Sequence, residues 1–236
     1  MAILISAMNK AELEKQQKYY LQQILLTVCG GKINLKTYQF NRVFIVCGWT
    51  GCGKDTLIDN TIKSSKLPLV KFVRTLTRVG RPGETPAGDA FFVKPEFFNY
   101  LKDNQKFFYS YEKFFGDQFG YSIMHLIFLI SRAHVLMVGG GEQNLSGLVE
   151  GVHNVFPEAP ITTLFINRPK EEIIAGIRAR GGDNAEIEKR VAHIEKNWTP
   201  KPKQHFDHII WNEEIEEAMR DFGHAIEESI GSSLNS

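Results

Sequence analysis

The chain has 236 residues, a formal net charge of +1, 43% apolar and 23% charged residues. That length and apolar content suit one substantial α/β domain, or such a domain with an added arm. The near-neutral balance gives no electrostatic case for a nucleic-acid or membrane-surface partner. The longest apolar run, Ile123 to Ile130, is interrupted by His125 and falls far short of the roughly 20 residues that cross a bilayer.

Met1 to Met8 is apolar but short and lacks a basic start, so it is not read as a signal peptide. Residues 1–40 read as an N-terminal helical arm. Ala11 to Thr27 sets Gln, Lys and Tyr on one side and Leu21, Ile24 and Leu25 on the other, and Gly30-Gly31 ends it. Such an arm packs on the domain or pairs with a second subunit as a homo-oligomer contact. The second domain runs from 41 to 236, and in it strands alternate with helices. Strands are expected at 43–47, 69–75, 134–138, 161–166 and 207–211. Helices are expected at 54–64, 95–103, 122–132, 143–155, 170–180, 184–197 and 213–229. This alternation predicts a three-layer α/β fold with a mainly parallel sheet covered on both faces, and ligands at the carboxyl ends of its strands. Residues 90–92 and 105–121 break the rhythm. They are rich in Phe and Tyr, with turn signals at Gly116-Asp117 and Gly120. They read as a small antiparallel insert, some of whose aromatics line a pocket for a planar or sugar ligand.

The first strand runs into Gly48-Trp49-Thr50-Gly51-Cys52-Gly53-Lys54-Asp55-Thr56. Glycines let successive backbone N–H groups converge on anionic oxygens, and the helix that follows adds its positive end. Lys54 supplies an ammonium for the outer phosphates. Gly51, Cys52, Gly53, Lys54, Asp55 and Thr56 are therefore expected to hold a nucleoside triphosphate. Asp55 stands where Ser or Thr usually follows the Lys, and Thr56 offers the nearby hydroxyl. Asp55 either holds a metal-bound water or caps the helix start. Cys52 is either an activated thiol among the loop amides or a small residue in a tight turn. Three cysteines (Cys29, Cys47 and Cys52) without metal spacing suggest a reducing, cytoplasmic setting.

Arg74, Arg78 and Arg81 follow the second expected strand, with a Pro82-Gly83 turn. At the same sheet edge as the glycine-rich loop they would clamp a second phosphate, because the guanidinium fork matches phosphate oxygens. The plainer alternative is a solvated loop. Arg178 and Arg180 end one helix, Gly181-Gly182 breaks it and Arg190 lies on the next. That pattern suits a mobile lid at about 180–190 bringing charge onto a transferring phosphoryl group, with Arg178 better read as neutralising a helix end. The seven His residues are scattered. No His-Asp or Cys-His pair has a persuasive setting, so catalysis by positioning and charge neutralisation is expected.

On these residues the chain resembles nucleoside monophosphate kinases of the guanylate kinase type over about 42–230. The resemblance rests on Gly48–Thr56, Leu76-Thr77-Arg78-x-x-Arg81-Pro82-Gly83-Glu84, Gly88-Asp89-x-Phe91-Phe92-Val93, Phe115-Gly116-x-x-Phe119-Gly120, Arg180 with Arg190, and Phe206-Asp207-x-x-Ile210-x-Asn212. It implies a parallel-sheet P-loop core, a lid and an acceptor-binding insert at about 78–122. The implied reaction moves the γ-phosphoryl group of ATP, with Mg²⁺, onto a small phosphorylated acceptor, a nucleoside monophosphate such as GMP, dGMP or a modified relative. Under the resemblance, Lys54, Arg180 and Arg190 are catalytic and Arg78 and Arg81 grip the acceptor phosphate. Ser110, Glu112, Phe119 and Tyr121 face the acceptor, Asn212 lies near the donor adenine, and Thr56 and Asp55 lie toward the metal.

The chain departs from the family in four places. The guanine-reading Glu is matched by Ser110, with Glu112 nearby; two acceptor-gripping Tyr residues are matched by Ala90 and Phe119; and an acidic residue near base and metal falls at Gly139. Ribose 1,5-bisphosphate phosphokinases share some of these departures, including the Lys54-Asp55 pair, so a sugar-phosphate kinase is one alternative. A guanylate kinase-like binding module without catalysis is another, against which the near-intact loop argues. A GTPase-like switch lacks its base-reading element after Asp117-Gln118-Phe119-Gly120.

Overall fold

A computed structural model describes residues 41–81, 83–113, 116–179 and 184–232. The expected N-terminal arm, Arg180 and the Gly181-Gly182 break lie outside the described residues. In chain order the elements are β1 (Val43–Gly48), α1 (Lys54–Ser64), β2 (Leu69–Phe72), β3 (Arg74–Leu76), β4 (Ala90–Phe92), α2 (Pro95–Asp103), β5 (Phe107–Glu112), β6 (Gln118–Ser122), α3 (Ile123–Ile130), β7 (His134–Gly140), α4 (Leu145–Val155), β8 (Ile161–Asn167), α5 (Lys170–Ala179), α6 (Asn184–Asn197), β9 (His208–Trp211) and α7 (Ile215–Ser232). The described residues divide into two compact units. One comprises 41–71, 133–149 and 159–232; the other comprises 72–132 and 150–158.

The first unit is built on a five-stranded sheet ordered β2-β7-β1-β8-β9. β1 runs parallel to β7 and β8, and β8 to β9. All six residues of β1 are buried, as the unbroken apolar run Val43–Cys47 requires of a strand covered on both faces. Phe44, Val46, Leu136, Val138, Leu164, Ile166 and Ile210 share one core with Leu57 and Ile58 of α1, Ile173 and Ile177 of α5, Val191 and Ile194 of α6, and Phe222 and Ile226 of α7. Each such side chain contributes about 1.5–3 kcal/mol by leaving water. Cys52 belongs to the same cluster and is wholly buried, so the core anchors the glycine-rich loop from below.

The register of β1 against β7 shifts after Val46, so that Cys47 faces Gly140. Gly139 is left in the tightest spot of the strand. A Cβ there would lie 2.6 Å from Cys47 Sγ and 3.1 Å from both Ile45 Cγ2 and Leu148 Cδ1. The position that the resemblance assigns to a carboxylate has no room for one. Burial pushes the Cys47 thiol up to about 12, so it stays protonated in this packing.

The second unit carries a four-stranded sheet ordered β4-β3-β6-β5. β6 is antiparallel to β3 and to β5, as expected of the insert, while β4 joins β3 in parallel. The single strand expected at 69–75 is two strands, broken at Val73, with β2 in the large sheet and β3 in the small one. No Gly or Pro marks that break. As a correction, Arg74 therefore lies on a strand of the insert, and Arg78 and Arg81 follow it; none of them follows a strand of the parallel sheet. Val73, Phe91, Val93, Phe97, Phe98 and Leu101 pack one face of the small sheet against α2. Leu76, Ala90 and Phe119, with Phe92 and Tyr111, form the other. His125 is fully buried against the rings of Phe72 and Phe91, at 4.7 and 5.3 Å, with Nδ1 3.2 Å from the carbonyl oxygen of Val73. Burial pushes its pKa down to about 4.

Candidate active site

The loop after β1 closes on its own lysine. Lys54 is 8% exposed, and its Nζ donates to the carbonyl oxygens of Gly48 (2.9 Å) and Trp49 (2.6 Å) and approaches Cys52 Sγ at 3.4 Å. Two carbonyl dipoles thus hold a buried ammonium at the mouth of α1. Gly53, the residue before α1, has φ +92°, a conformation that a side chain disfavours, and a Cβ there would collide with Asn212 Nδ2 at 2.3 Å. The collision is informative, because Asn212 is itself fixed. It is 4% exposed, its Nδ2 donates to the carbonyl oxygen of Cys52 at 2.8 Å, and its backbone N–H donates to Asn167 O at 2.8 Å. Asn212, the residue expected beside the donor adenine, also serves as a strut for the loop backbone.

Asp55 and Thr56 are both exposed in the first turn of α1. The capping role considered for Asp55 is corrected: Gly53 is the cap position and no side chain bonds there. Asp55 Oδ1 instead lies 3.3 Å from Lys71 Nζ, which also reaches Asp59 Oδ1 at 3.0 Å. The reactive-thiol alternative for Cys52 is corrected too, since the side chain is wholly enclosed. Behind the loop, the Trp49 ring lies 6.3 Å from that of His193 on α6, the helix that also carries Arg190. Arg178 pairs with Glu188 through Nη1 to Oε1 at 2.8 Å and Nη2 to Oε2 at 3.3 Å, tying α5 to α6.

The second unit brings together a different set. Arg78 forks onto Glu84, with Nη1 to Oε2 and Nη2 to Oε1 both at 2.6 Å, and the Arg81 backbone N–H donates to Glu84 Oε2 at 2.8 Å. Burial works to raise the Glu84 pKa, but the Arg78 and Arg81 hydrogen bonds outweigh it and the carboxyl is held below its ordinary range. The arginine loop is therefore folded around an internal anion. Tyr111 stacks on Phe119 at 4.9 Å, and Tyr109 lies 5.8 Å from Tyr121. Cations surround this aromatic face: Lys113 Nζ is 5.0 Å and Arg74 Cζ 5.6 Å from the Phe119 centroid, and Arg78 Cζ is 5.5 Å from that of Phe92.

Phe119 and Tyr121 thus share a face with Tyr109 and Tyr111. Ser110 pairs with Gly120 and Glu112 with Gln118 in the alternate register, which turns them to the opposite face. Gln118 on that side reaches Asn99 of α2 at 3.2 Å. The four residues expected to face one acceptor are divided between two faces. Sequence reasoning missed Lys71, Arg74 as a ring partner and Lys113. A lysine on a short strand carries no local signal, and cation–ring contacts depend on strand pairing.

The donor set suits a polyphosphate: a buried ammonium, a loop bent through left-handed glycine backbone and a helix N-terminus with an exposed hydroxyl at Thr56. The exposed Thr56 hydroxyl in that first turn also suits a magnesium ion, whereas the Asp55 carboxylate is engaged by Lys71. A parallel sheet whose first strand ends in such a loop is the core of the P-loop phosphotransferases. Residues 40–229 match the guanylate kinase family, and the chain belongs to it. A guanylate kinase of Thermus thermophilus is 28% identical over 184 residues, covering 77% of this chain and 78% of that protein. That of Neisseria gonorrhoeae is 26% identical over 193 residues, covering 81% and 90%. The crystal structure of guanylate kinase from Anaplasma phagocytophilum shares the fold with a TM-score of 0.53, at 22% identity, over 80% of this chain and 87% of that one. The protein is accordingly an ATP-dependent nucleoside monophosphate kinase acting on a small-molecule nucleotide. Among the described residues no helix is long and apolar enough to cross a membrane.

Proposed function

We propose that the chain phosphorylates GMP, converting ATP and GMP to ADP and GDP. The observation that carries this is the enclosed Lys54 ammonium in a glycine-rich loop of a chain that matches the guanylate kinase family over 40–229. In this reading Gly51–Thr56 hold the donor phosphates, and the Lys54 ammonium exchanges its carbonyl partners for β- and γ-phosphate oxygens. The phosphate oxygen of GMP is already a nucleophile at neutral pH, so no residue has to remove a proton. Catalysis is then alignment plus neutralisation of charge on the moving group, assigned to Lys54, Arg190 and Arg180. Mg²⁺, held by the phosphates with Thr56, would add charge at the same group; the expected metal role of Asp55 is set aside because its carboxylate is engaged by Lys71 at 3.3 Å.

The acceptor phosphate is assigned to Arg78 and Arg81, and the planar base to the half-buried rings of Tyr109 and Tyr111, where stacking needs no carboxylate; Phe119 and Tyr121, 6% and 0% exposed, support those rings from the core and do not face the base. Ser110 and Glu112 project from the opposite face of β5 and would contribute only if the base reaches around that strand. The two free thiols Cys47 and Cys52 accord with a reducing cytoplasm, and an arm-mediated oligomer remains part of the reading. A coupled assay of ADP release across GMP, dGMP, the other nucleoside monophosphates and ribose 1,5-bisphosphate tests it. GMP should give the highest kcat/KM. Turnover confined to another acceptor would move the specificity, and no turnover with any would remove the catalytic reading.

A further inference from the structure

The residue after Lys54 poses an electrostatic problem. Asp55 sits in the first turn of α1 with its side chain 56% exposed, next to the loop assigned to a polyanion. The positive end of a helix welcomes an acid there, but the same end is what a phosphate uses. A bare carboxylate would compete with the ligand for that field and repel it. The nearby compensation comes from outside the loop. Lys71, at the end of β2, is only 11% exposed, and its Nζ lies 3.3 Å from Asp55 Oδ1, 3.0 Å from Asp59 Oδ1 and 3.2 Å from Asp59 Oδ2. Asp55 and Asp59 are one turn apart, so both reach the same strand. Burial disfavours the Lys71 ammonium, and the two carboxylates outweigh it, so it stays charged.

The geometry points to Lys71 as a positioning residue for donor binding: it neutralises Asp55 and holds its carboxylate against β2, leaving the Lys54 loop open to phosphate. This rests on the assignment of the donor to Gly48–Thr56. Lys71 touches no phosphate in this scheme; it acts through Asp55. The effect should therefore scale with ligand charge, which a merely structural role would not do. Free ATP carries about two more negative charges than its magnesium complex and should suffer more when Lys71 is lost.

The test is equilibrium binding of ATP, with EDTA and with saturating Mg²⁺, to the full-length wild type and variants, with thermal melting as the folding control. Lys71→Met is expected to weaken free ATP by about tenfold or more and the magnesium complex by less. Lys71→Arg should bind like wild type. Adding Asp55→Asn to Lys71→Met should recover most of the loss, and adding Asp59→Asn should recover little. If Lys71→Met does not fold, the two double variants still give the comparison, since each lacks one of the stranded carboxylates. Wild-type affinity in Lys71→Met, or equal loss for both forms of ATP without rescue by Asp55→Asn, overturns the inference. Should the wild type itself bind neither form, the donor assignment fails first and the inference falls with it.

Discussion

The side-chain amide of Asn212 donates to the carbonyl oxygen of Cys52 across 160 residues of sequence, at 2.8 Å. The contact pins the phosphate loop to the end of β9, and it gives Asn212 a role that does not depend on which base the donor carries. Asn212→Ala should therefore weaken ATP and GTP as donors to the same degree. Loss of a buried hydrogen bond of this kind costs about 1–3 kcal/mol, of which some will appear as lower thermal stability. A selective loss of ATP over GTP would instead support the expected place of Asn212 beside the donor adenine.

Lys54→Met should lower kcat by on the order of 10²–10³-fold, the scale of a removed transition-state charge partner. The melting temperature should change little, because the loop is also held by Asn212 and by the burial of Cys52. Steady-state rates with melting curves on the same preparation decide this, and a variant of near-normal kcat would take Lys54 out of the mechanism.

Glu84→Gln removes the charge from the fork that organises Arg78 and the Arg81 amide. The KM for the acceptor should rise by roughly tenfold, the worth of about one charged hydrogen bond, with ATP affinity little altered. Arg81→Ala should show the same split. A proportional rise in both constants would mean that the loop serves the fold and not the acceptor.

His125 gives the protein an acid-sensitive step. Its folded pKa lies near 4, against an ordinary value of 6.5, so the unfolded chain takes up a proton before the folded one does. Stability is complete above pH 6.5 and falls as pH drops toward 4, by up to about 3 kcal/mol from this group. Denaturant titrations from pH 7 to 4.5 should show that fall in the wild type and a shallower slope in His125→Leu, even though the variant starts lower. Parallel slopes would assign the acid sensitivity elsewhere.

Much of this was legible in the chain itself. The apolar run 43–47 and the glycines after it located β1 and its loop, because burial on both faces and left-handed backbone leave direct compositional traces. The helices at 54–64, 95–103 and 184–197 match the observed α1, α2 and α6 to the residue. What escaped depends on neighbours distant in sequence. Leu69 to Leu76 contains no breaker, so only pairing with two different sheets reveals the change at Val73. Ser110 and Tyr111 are adjacent, and which of them turns toward Phe119 follows from the register of β5 on β6. Asp55 reads as a cap from its type and place, but Lys71, 16 positions on, claims it.

Gly139→Asp should destabilise the protein by about 1–3 kcal/mol or more, since it combines overpacking with a buried charge. Gly139→Ala should also destabilise it, because the obstruction begins at Cβ. Thermal unfolding of the two variants measures this, and a neutral Gly139→Ala would show that β7 can yield.

The closeness of Gly139 to the Cys47 sulfur, 2.6 Å from where a Cβ would stand, also constrains how this chain can change. An acidic side chain can enter at 139 only if the Cys47 sulfur and the methyl groups of Ile45 and Leu148 give way. Coupled positions of this kind do not add independently. A side chain at 139 and a smaller one at 47 are therefore expected to be tolerated better together than the change at 139 alone.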